Sequence, residues 1–205
     1  MTTGPTAIAA EVTLFRGAAA PTAPLVAAIE AIAARAPFRH LATPNGGTMS
    51  VAMTNCGPWG WHSDARGYRY AERDPLTDAP WPAMPPLFMR LAQGLAERGG
   101  FAGFEPDACL VNRYAPGARM GAHRDWDELD KRHPIVSVSI GLPAVFLWHG
   151  ATRRERPIAT LVEDGDVIVW GGRARAGFHG VRKLADGLHP VSGALRYNLT
   201  FRRAK

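Results

Sequence analysis

Apolar residues recur along this chain in two rhythms. In "APLVAAIEAIAARAP" Leu25, Ile29 and Ile32 fall at the spacing of one helix face, and the run ends near Pro37. In "MPPLFMRLAQGLAERGG" prolines open the segment, where a missing N–H costs nothing. Leu87, Leu91 and Leu95 share a face there, and Gly99-Gly100 stops it. Both segments are predicted helices. Between them, "TMSVAMTNCGPWGWHSDARGYRYAERDPLTDAPWPAM" mixes short strand-like pieces with aromatics and prolines, and reads as a hairpin and loop layer. After residue 105 the rhythm shortens. "ACLVNRYA", "IVSVSIG", "AVFLWH", "IATLV", "DVIVWGG" and "LRYNLTFR" are short, β-branched and aromatic, parted by Gly, Pro, Asp and Asn turns. That is the pattern of an antiparallel sandwich or jelly roll. Helices followed by a run of strands make the class α+β.

Length and composition fit this reading. The chain has 205 residues, 46% of them hydrophobic, without repeat, charge block or long linker, so one domain over 1–205 is expected. No apolar run approaches the ~20 residues that span a bilayer. The start, "MTTGPTAIAAEVTLF", has no basic stretch and carries Glu11, unlike a secretion leader, so a cytoplasmic protein without membrane contact is expected. Cys56 and Cys109 are the two cysteines, and read as buried free thiols. The net charge of +6 favours polyanion partners, although the abundance of Arg, Ala, Gly and Pro also fits a biased genome composition.

The candidate chemistry begins at "GAHRDWDE". In an extended strand, residues two apart point the same way. His123, Asp125 and Asp127 would then share a face, with the first two as ligands of one metal. His179, in "AGFHGV", supplies a third. Two histidines and a carboxylate occupying one face of an octahedron are the ligand set of non-haem Fe(II) oxygenases. His-x-Asp alone also fits a solvated charge cluster or a helix cap. "RYNLTFR" adds weight. Alternation puts Arg196, Asn198, Thr200 and Arg202 on one face and Tyr197, Leu199 and Phe201 on the other. Two inward arginines are costly unless an anion meets them, and a dicarboxylate would; an edge strand with its arginines in water is the alternative. Asn112 and Tyr114, in "LVNRY", share a face in the same way. Asp127 continues the period and is expected to aim into the same cavity, unless the strand ends at Asp125.

These segments in order, with "TPNGGTMSVAMTNCG", "YAERDPLTDAPWPAMP", "PDACLVNRYAPGARMGAHRDWDE" and "GDVIVWGG", resemble the AlkB family of bacterial DNA dealkylation-repair dioxygenases from about Phe38 to Arg203. The resemblance implies a double-stranded β-helix over about 105–203, N-terminal helices and a nucleotide-recognition lid over about 38–83. It implies Fe(II) on His123, Asp125 and His179, with 2-oxoglutarate and O2 as cosubstrates. Arg196, Asn198 and Tyr114 would grip the distal carboxylate of 2-oxoglutarate. Asn112 and Arg202 would lie near the carboxylate that chelates iron, Arg202 within the catalytic set. Trp61, Tyr68, Arg69 and Tyr70 fall around the nucleotide, and Asp127 and Arg153 at the flipped base and the backbone. Those aromatics also fit an ordinary hairpin core, and Arg66, Arg69 and Arg73 a solvated face.

The activity so implied is oxidative demethylation of 1-methyladenine and 3-methylcytosine in alkylated DNA, single-stranded or flipped out of a duplex, by a monomer. RNA or another substrate for the same chemistry is the alternative, and a non-catalytic iron or 2-oxoglutarate sensor or cupin-like binding module the rival of another class. The complete triad with both arginines argues against that rival. Trp126, Trp59, Trp148 and His149 depart from the family pattern, and are expected to touch the substrate side rather than the iron side.

Overall fold

Strand β14 (Arg196–Arg202) is buried along its whole length, and the molecule is organised about it. The computed structural model describes residues 4–205. The chain opens with an antiparallel pair, β1 (Thr6–Ala9) and β2 (Val12–Phe15), and then helix α1 (Ala23–Arg35). Four strands follow: β3 (Arg39–Ala42), β4 (Thr48–Cys56), β5 (Gly60–Asp64) and β6 (Gly67–Ala71). Helix α2 (Pro86–Arg98) precedes β7 (Ala108–Tyr114), β8 (Met120–His123), β9 (Ile135–Gly141) and β10 (Ala144–Gly150). The chain closes with β11 (Ile158–Val162), β12 (Val167–Trp170), a 3-10 turn at Gly172–Ala176, β13 (Phe178–Val181) and β14.

Eight strands form one sheet in the order β1-β2-β12-β9-β14-β7-β4-β3, four form a second in the order β11-β10-β13-β8, and β5-β6 stand apart as a two-stranded ribbon. This is the jelly roll that the strand rhythm predicts. β14 lies between β9 and β7, so its two faces serve two layers. Tyr197, Leu199 and Phe201 join the helix-side core with Ile29, Phe88 and Val138. Each such Leu or Phe taken from water is worth ~1.5–3 kcal/mol. The opposite face, with Arg196, Asn198, Thr200 and Arg202, looks into the space between the sheets, which Tyr114, Phe146, Ile168 and Trp170 also line.

Three expectations change. Helix α1 buries Leu25, Ile29 and Ile32 as its spacing predicts, but α2 buries Phe88, Ala92, Leu95 and Ala96. Leu87 and Leu91 sit at the edge of that contact, because Phe88, Ala92, Leu95 and Ala96 form the helical stripe that faces the core. β1 and β2 are additional to the expected elements; four residues each are too short to show a period. The segment that reads as one hairpin and loop layer divides, with β3 and β4 extending the large sheet and only β5–β6 forming a separate hairpin. No helix among the described residues is long and apolar enough to cross a membrane.

Candidate active site

The two histidines meet because β8 and β13 pair antiparallel with His123 directly opposite His179. Gly180 permits the close approach: a Cβ there would stand 2.8 Å from the carbonyl oxygen of Met120. The imidazole centroids are 4.4 Å apart. His123 Nδ1 lies 2.9 Å from the Gly121 carbonyl and His179 Nδ1 lies 3.1 Å from that of Gly177. A carbonyl only accepts, so each Nδ1 carries the proton and each Nε2 keeps its lone pair. Both Nε2 atoms face Asp125, at 3.9 Å from Oδ1 for His123 and 3.8 Å from Oδ2 for His179. Among the described residues, His123, Asp125 and His179 are the one group of three with ligand atoms within 4.8 Å of one another.

The surroundings fix the charge states. Burial, with help from His123, pushes the His179 imidazole down to about 3, so it is neutral and free to ligate. Trp170, Phe146 and Trp148 wall its ring at 4.9, 5.9 and 6.3 Å between centroids. Burial works against ionisation of Asp125, yet Arg202, His179, His123 and Arg175 together hold its carboxyl well below the usual range. Arg202 Nη2 stands 2.9 Å from Asp125 Oδ2, an ion pair by distance that misses hydrogen-bond alignment.

Period two is not what aims Asp125. β8 ends at His123, and Asp125 turns inward from irregular chain because Arg175 Nη1 donates to its carbonyl at 2.8 Å. Asp127 therefore does not enter the cavity. It is exposed, and accepts the Trp61 Nε1–H at 2.8 Å. The expectation that a continuing strand would aim it inward fails because the strand stops four residues earlier.

The cavity between the sheets gathers Asn112, Tyr114, His123, His179, Arg196, Asn198 and Arg202. Arg196 is buried opposite Tyr114, its Cζ 4.9 Å from that ring centroid. One nitrogen donates to Ser139 Oγ at 3.1 Å, while Nε and Nη1 find no hydrogen-bond partner among the described residues. A buried guanidinium with two open donors is a socket for a carboxylate. Asn198 spends its amide donors on Ser137 Oγ at 2.8 Å and the Val138 carbonyl at 3.0 Å, and so braces the strand. Asn112 donates to Asn198 Oδ1 at 3.4 Å and leaves its own Oδ1 open. Arg202 turns to Asp125 and, at 3.4 Å, to Glu128, rather than lying open beside Arg196 as two matched arginines for one dicarboxylate would. The open donors and the converging lone pairs suit an iron ion and a dicarboxylate.

The remaining candidates lie outside the cavity. Trp61 and Tyr68 stack on the hairpin with centroids 5.5 Å apart, and Tyr68 is 49% exposed. Tyr70 is buried and donates to Glu128 Oε1 at 2.7 Å. Arg69 grips Asp64 with two bonds of 2.8 and 2.7 Å. Arg153 lies in the open, its Cζ 5.3 Å from the Phe178 ring. Trp148 corrects the reading that the departing residues avoid the iron side, since its indole stacks on His179. Trp126 is 47% exposed, and Trp59 lies under the Lys205 ammonium.

Sequence reasoning passes over Glu128, Arg175, Ser137 and Ser139. The serines are legible, because alternation in "IVSVSIG" sets them opposite the apolar Val136, Val138 and Ile140. Glu128 and Arg175 are not. Their buried pair, 2.9 Å apart, joins segments distant in the chain, and no local pattern marks it.

The profile of the 2OG-Fe(II) oxygenase superfamily matches residues 11–202. The alpha-ketoglutarate-dependent dioxygenase AlkB of Salmonella typhimurium is 56% identical over 84% of this chain and 80% of its own length. That of Escherichia coli is 52% identical over 88% of this chain and 83% of its own. The solved structure of OsALKBH1 superposes with a TM-score of 0.86 at 23% identity, covering 97% of this chain and 99% of that one, a likeness of fold.

Proposed function

Because the chain belongs to the AlkB alpha-ketoglutarate-dependent dioxygenases of the 2OG-Fe(II) oxygenase superfamily, and so requires Fe(II), 2-oxoglutarate and O2, we propose how its residues serve demethylation of N-methylated bases in DNA. His123, Asp125 and His179 hold the iron. Iron with 2-oxoglutarate and O2 supplies the oxidising chemistry, which hydroxylates the N-methyl carbon so that it leaves as formaldehyde, with succinate and CO2 as the other products. Arg196 takes the distal carboxylate through Nε and Nη1, with the ring of Tyr114 beneath it. Asn112 attends the carboxylate nearest the metal. Arg202 acts as a positioning residue: it holds Asp125 ionised and aimed. Trp170, Phe146 and Trp148 keep water from the metal side.

The observation that carries this reading is the pairing, in one cavity, of two imidazoles with lone pairs set by Gly121 and Gly177 and a buried Arg196 with two open donors. The lid is the hairpin β5–β6 with its flanks in residues 38–83, on the 1–205 single domain. There Trp61 and Tyr68 stack on the flipped base, Asp127 steadies Trp61 and faces the cationic ring of 1-methyladenine or 3-methylcytosine, and Arg153 meets the backbone. Arg69 and Tyr70 shape this site from behind, through Asp64 and Glu128. The enzyme is a cytoplasmic monomer acting on single-stranded DNA; buried, unpaired Cys56 and Cys109 support the compartment, and the net charge of +6 supports a polyanionic substrate.

The test is succinate and formaldehyde formation with iron and 2-oxoglutarate, with and without an oligonucleotide bearing 1-methyladenine. Lesion-dependent formation of both in equal amounts is expected. Succinate that ignores the lesion, with no formaldehyde, overturns the reading.

A further inference from the structure

Most arginines near the hairpin and the triad are neutralised locally. Arg66 and Arg69 pair with Asp64, Arg132 with Asp130, and Arg175 with Glu128. Arg124, Lys131 and Arg153 differ. Among the described residues none of them makes an ion pair, and each lies on an aromatic ring instead. Lys131 Nζ is 4.6 Å and Arg124 Cζ 4.8 Å from the centroid of Trp126. Arg124 Cζ is also 5.4 Å, and Arg153 Cζ 5.3 Å, from the ring of Phe178. The five side chains therefore form a continuous strip in which cations alternate with rings. Its middle adjoins the metal site, because Arg124 lies between His123 and Asp125 and Phe178 precedes His179. A cation on a ring keeps its full charge and remains open to a phosphate. Trp126, 47% exposed, is an apolar surface left in water next to that charge.

We propose that this strip, with Trp126 as its exposed stacking ring, binds the single strand that flanks the reacting nucleotide. Arg124, Lys131 and Arg153 take successive phosphates, and the indole of Trp126 stacks on a neighbouring base. The proposal rests on the nucleic-acid reading above; that reading gave only Arg153 to the backbone. Alternation of cations with aromatic faces is the chemistry that tracks a single strand without reading its sequence. Bases inside a duplex have both faces covered, so Trp126 favours unpaired substrate.

The test is fluorescence anisotropy with an unmodified twelve-residue oligothymidylate, across a salt series, on the full chain. Trp126→Ala should weaken binding about fivefold or more, leave the salt slope unchanged, and be rescued by Trp126→Phe. Arg124→Gln with Lys131→Gln should lower the slope by roughly 0.7 for each phosphate no longer neutralised. On the matching duplex, Trp126→Ala should have less effect. None of these side chains is buried, so melting temperatures should stay at the wild-type value. Wild-type affinity in Trp126→Ala, or an unchanged slope in the double variant, overturns the proposal. Binding here needs neither iron nor a lesion. Failure of lesion-dependent formaldehyde release beside a Trp126-dependent affinity would therefore condemn the demethylase reading alone.

Discussion

The cavity between the sheets and the hairpin beside it are built by different means. In the cavity, Asn112, Arg196 and Asn198 project from central strands β7 and β14, whose register is fixed on both sides by β4 and β9 and by each other. Their side chains are buried and braced by Ser137, Ser139 and the Val138 backbone. On the hairpin, Trp61 and Tyr68 stand on a two-stranded ribbon, a unit that is marginal by itself. Their rings are steadied by each other and by one side-chain hydrogen bond to an exposed aspartate, while Asn55 holds the Trp61 backbone with bonds of 2.9 and 3.0 Å. On the proposed function, metal and cosubstrate would be held by buried, braced side chains, and the base would be met by a ribbon that opens at lower cost.

Removing a group from the rigid side should cost most. His123→Ala removes a metal ligand that is 36% exposed at its side chain, so the fold should survive while turnover falls to background. Far-UV circular dichroism and formaldehyde release check the two halves. Arg175→Met should come next. It strands the buried Glu128 and frees the carbonyl of Asp125, at about 3–5 kcal/mol of stability by urea unfolding. Adding Glu128→Met should recover part of the loss, because no unpaired charge then remains. Arg196→Lys keeps the charge and loses the fork, and should raise the KM for 2-oxoglutarate about tenfold.

On the hairpin side the effects should be smaller and lesion-dependent. Asp127→Ala removes both the anchor of Trp61 and a carboxylate. Single-turnover rates on cationic 1-methyladenine and 3-methylcytosine should fall about fivefold, and those on neutral 1-methylguanine less. Equal losses on both would remove Asp127 from base recognition. The smallest effect is on pH. Burial, then Arg69, lowers the His62 imidazole below its usual 6.5, against the opposing pull of Asp64 and Asp74. The unfolded chain then binds a proton that the fold refuses. Stability should drop as pH falls through 6.5, and this part of the dependence should vanish in His62→Gln.

Legibility in the sequence follows the same division. "RYNLTFR" is a central strand serving two layers, so its alternation separates the core face from the polar face that carries both arginines. The metal triad is legible by residue type, although strand period is the wrong reason for Asp125: a bond from Arg175 turns it inward. Asp127 is misplaced by the same period. β1 and β2 are invisible because the strand that β2 pairs with, β12, lies far along the chain. Glu128 and Arg175 stay hidden because a buried ion pair between distant segments leaves no periodic trace.

The most direct test of this division is a kinetic double-mutant cycle on Arg196→Lys and Trp61→Ala, with KM measured for both 2-oxoglutarate and a methylated oligonucleotide. Each variant should raise only the constant of its own ligand, and the two effects should add within about 0.5 kcal/mol. A Trp61→Ala variant that weakens 2-oxoglutarate binding as much as oligonucleotide binding, or a coupling well above that value, would show that the cavity and the hairpin act as one unit.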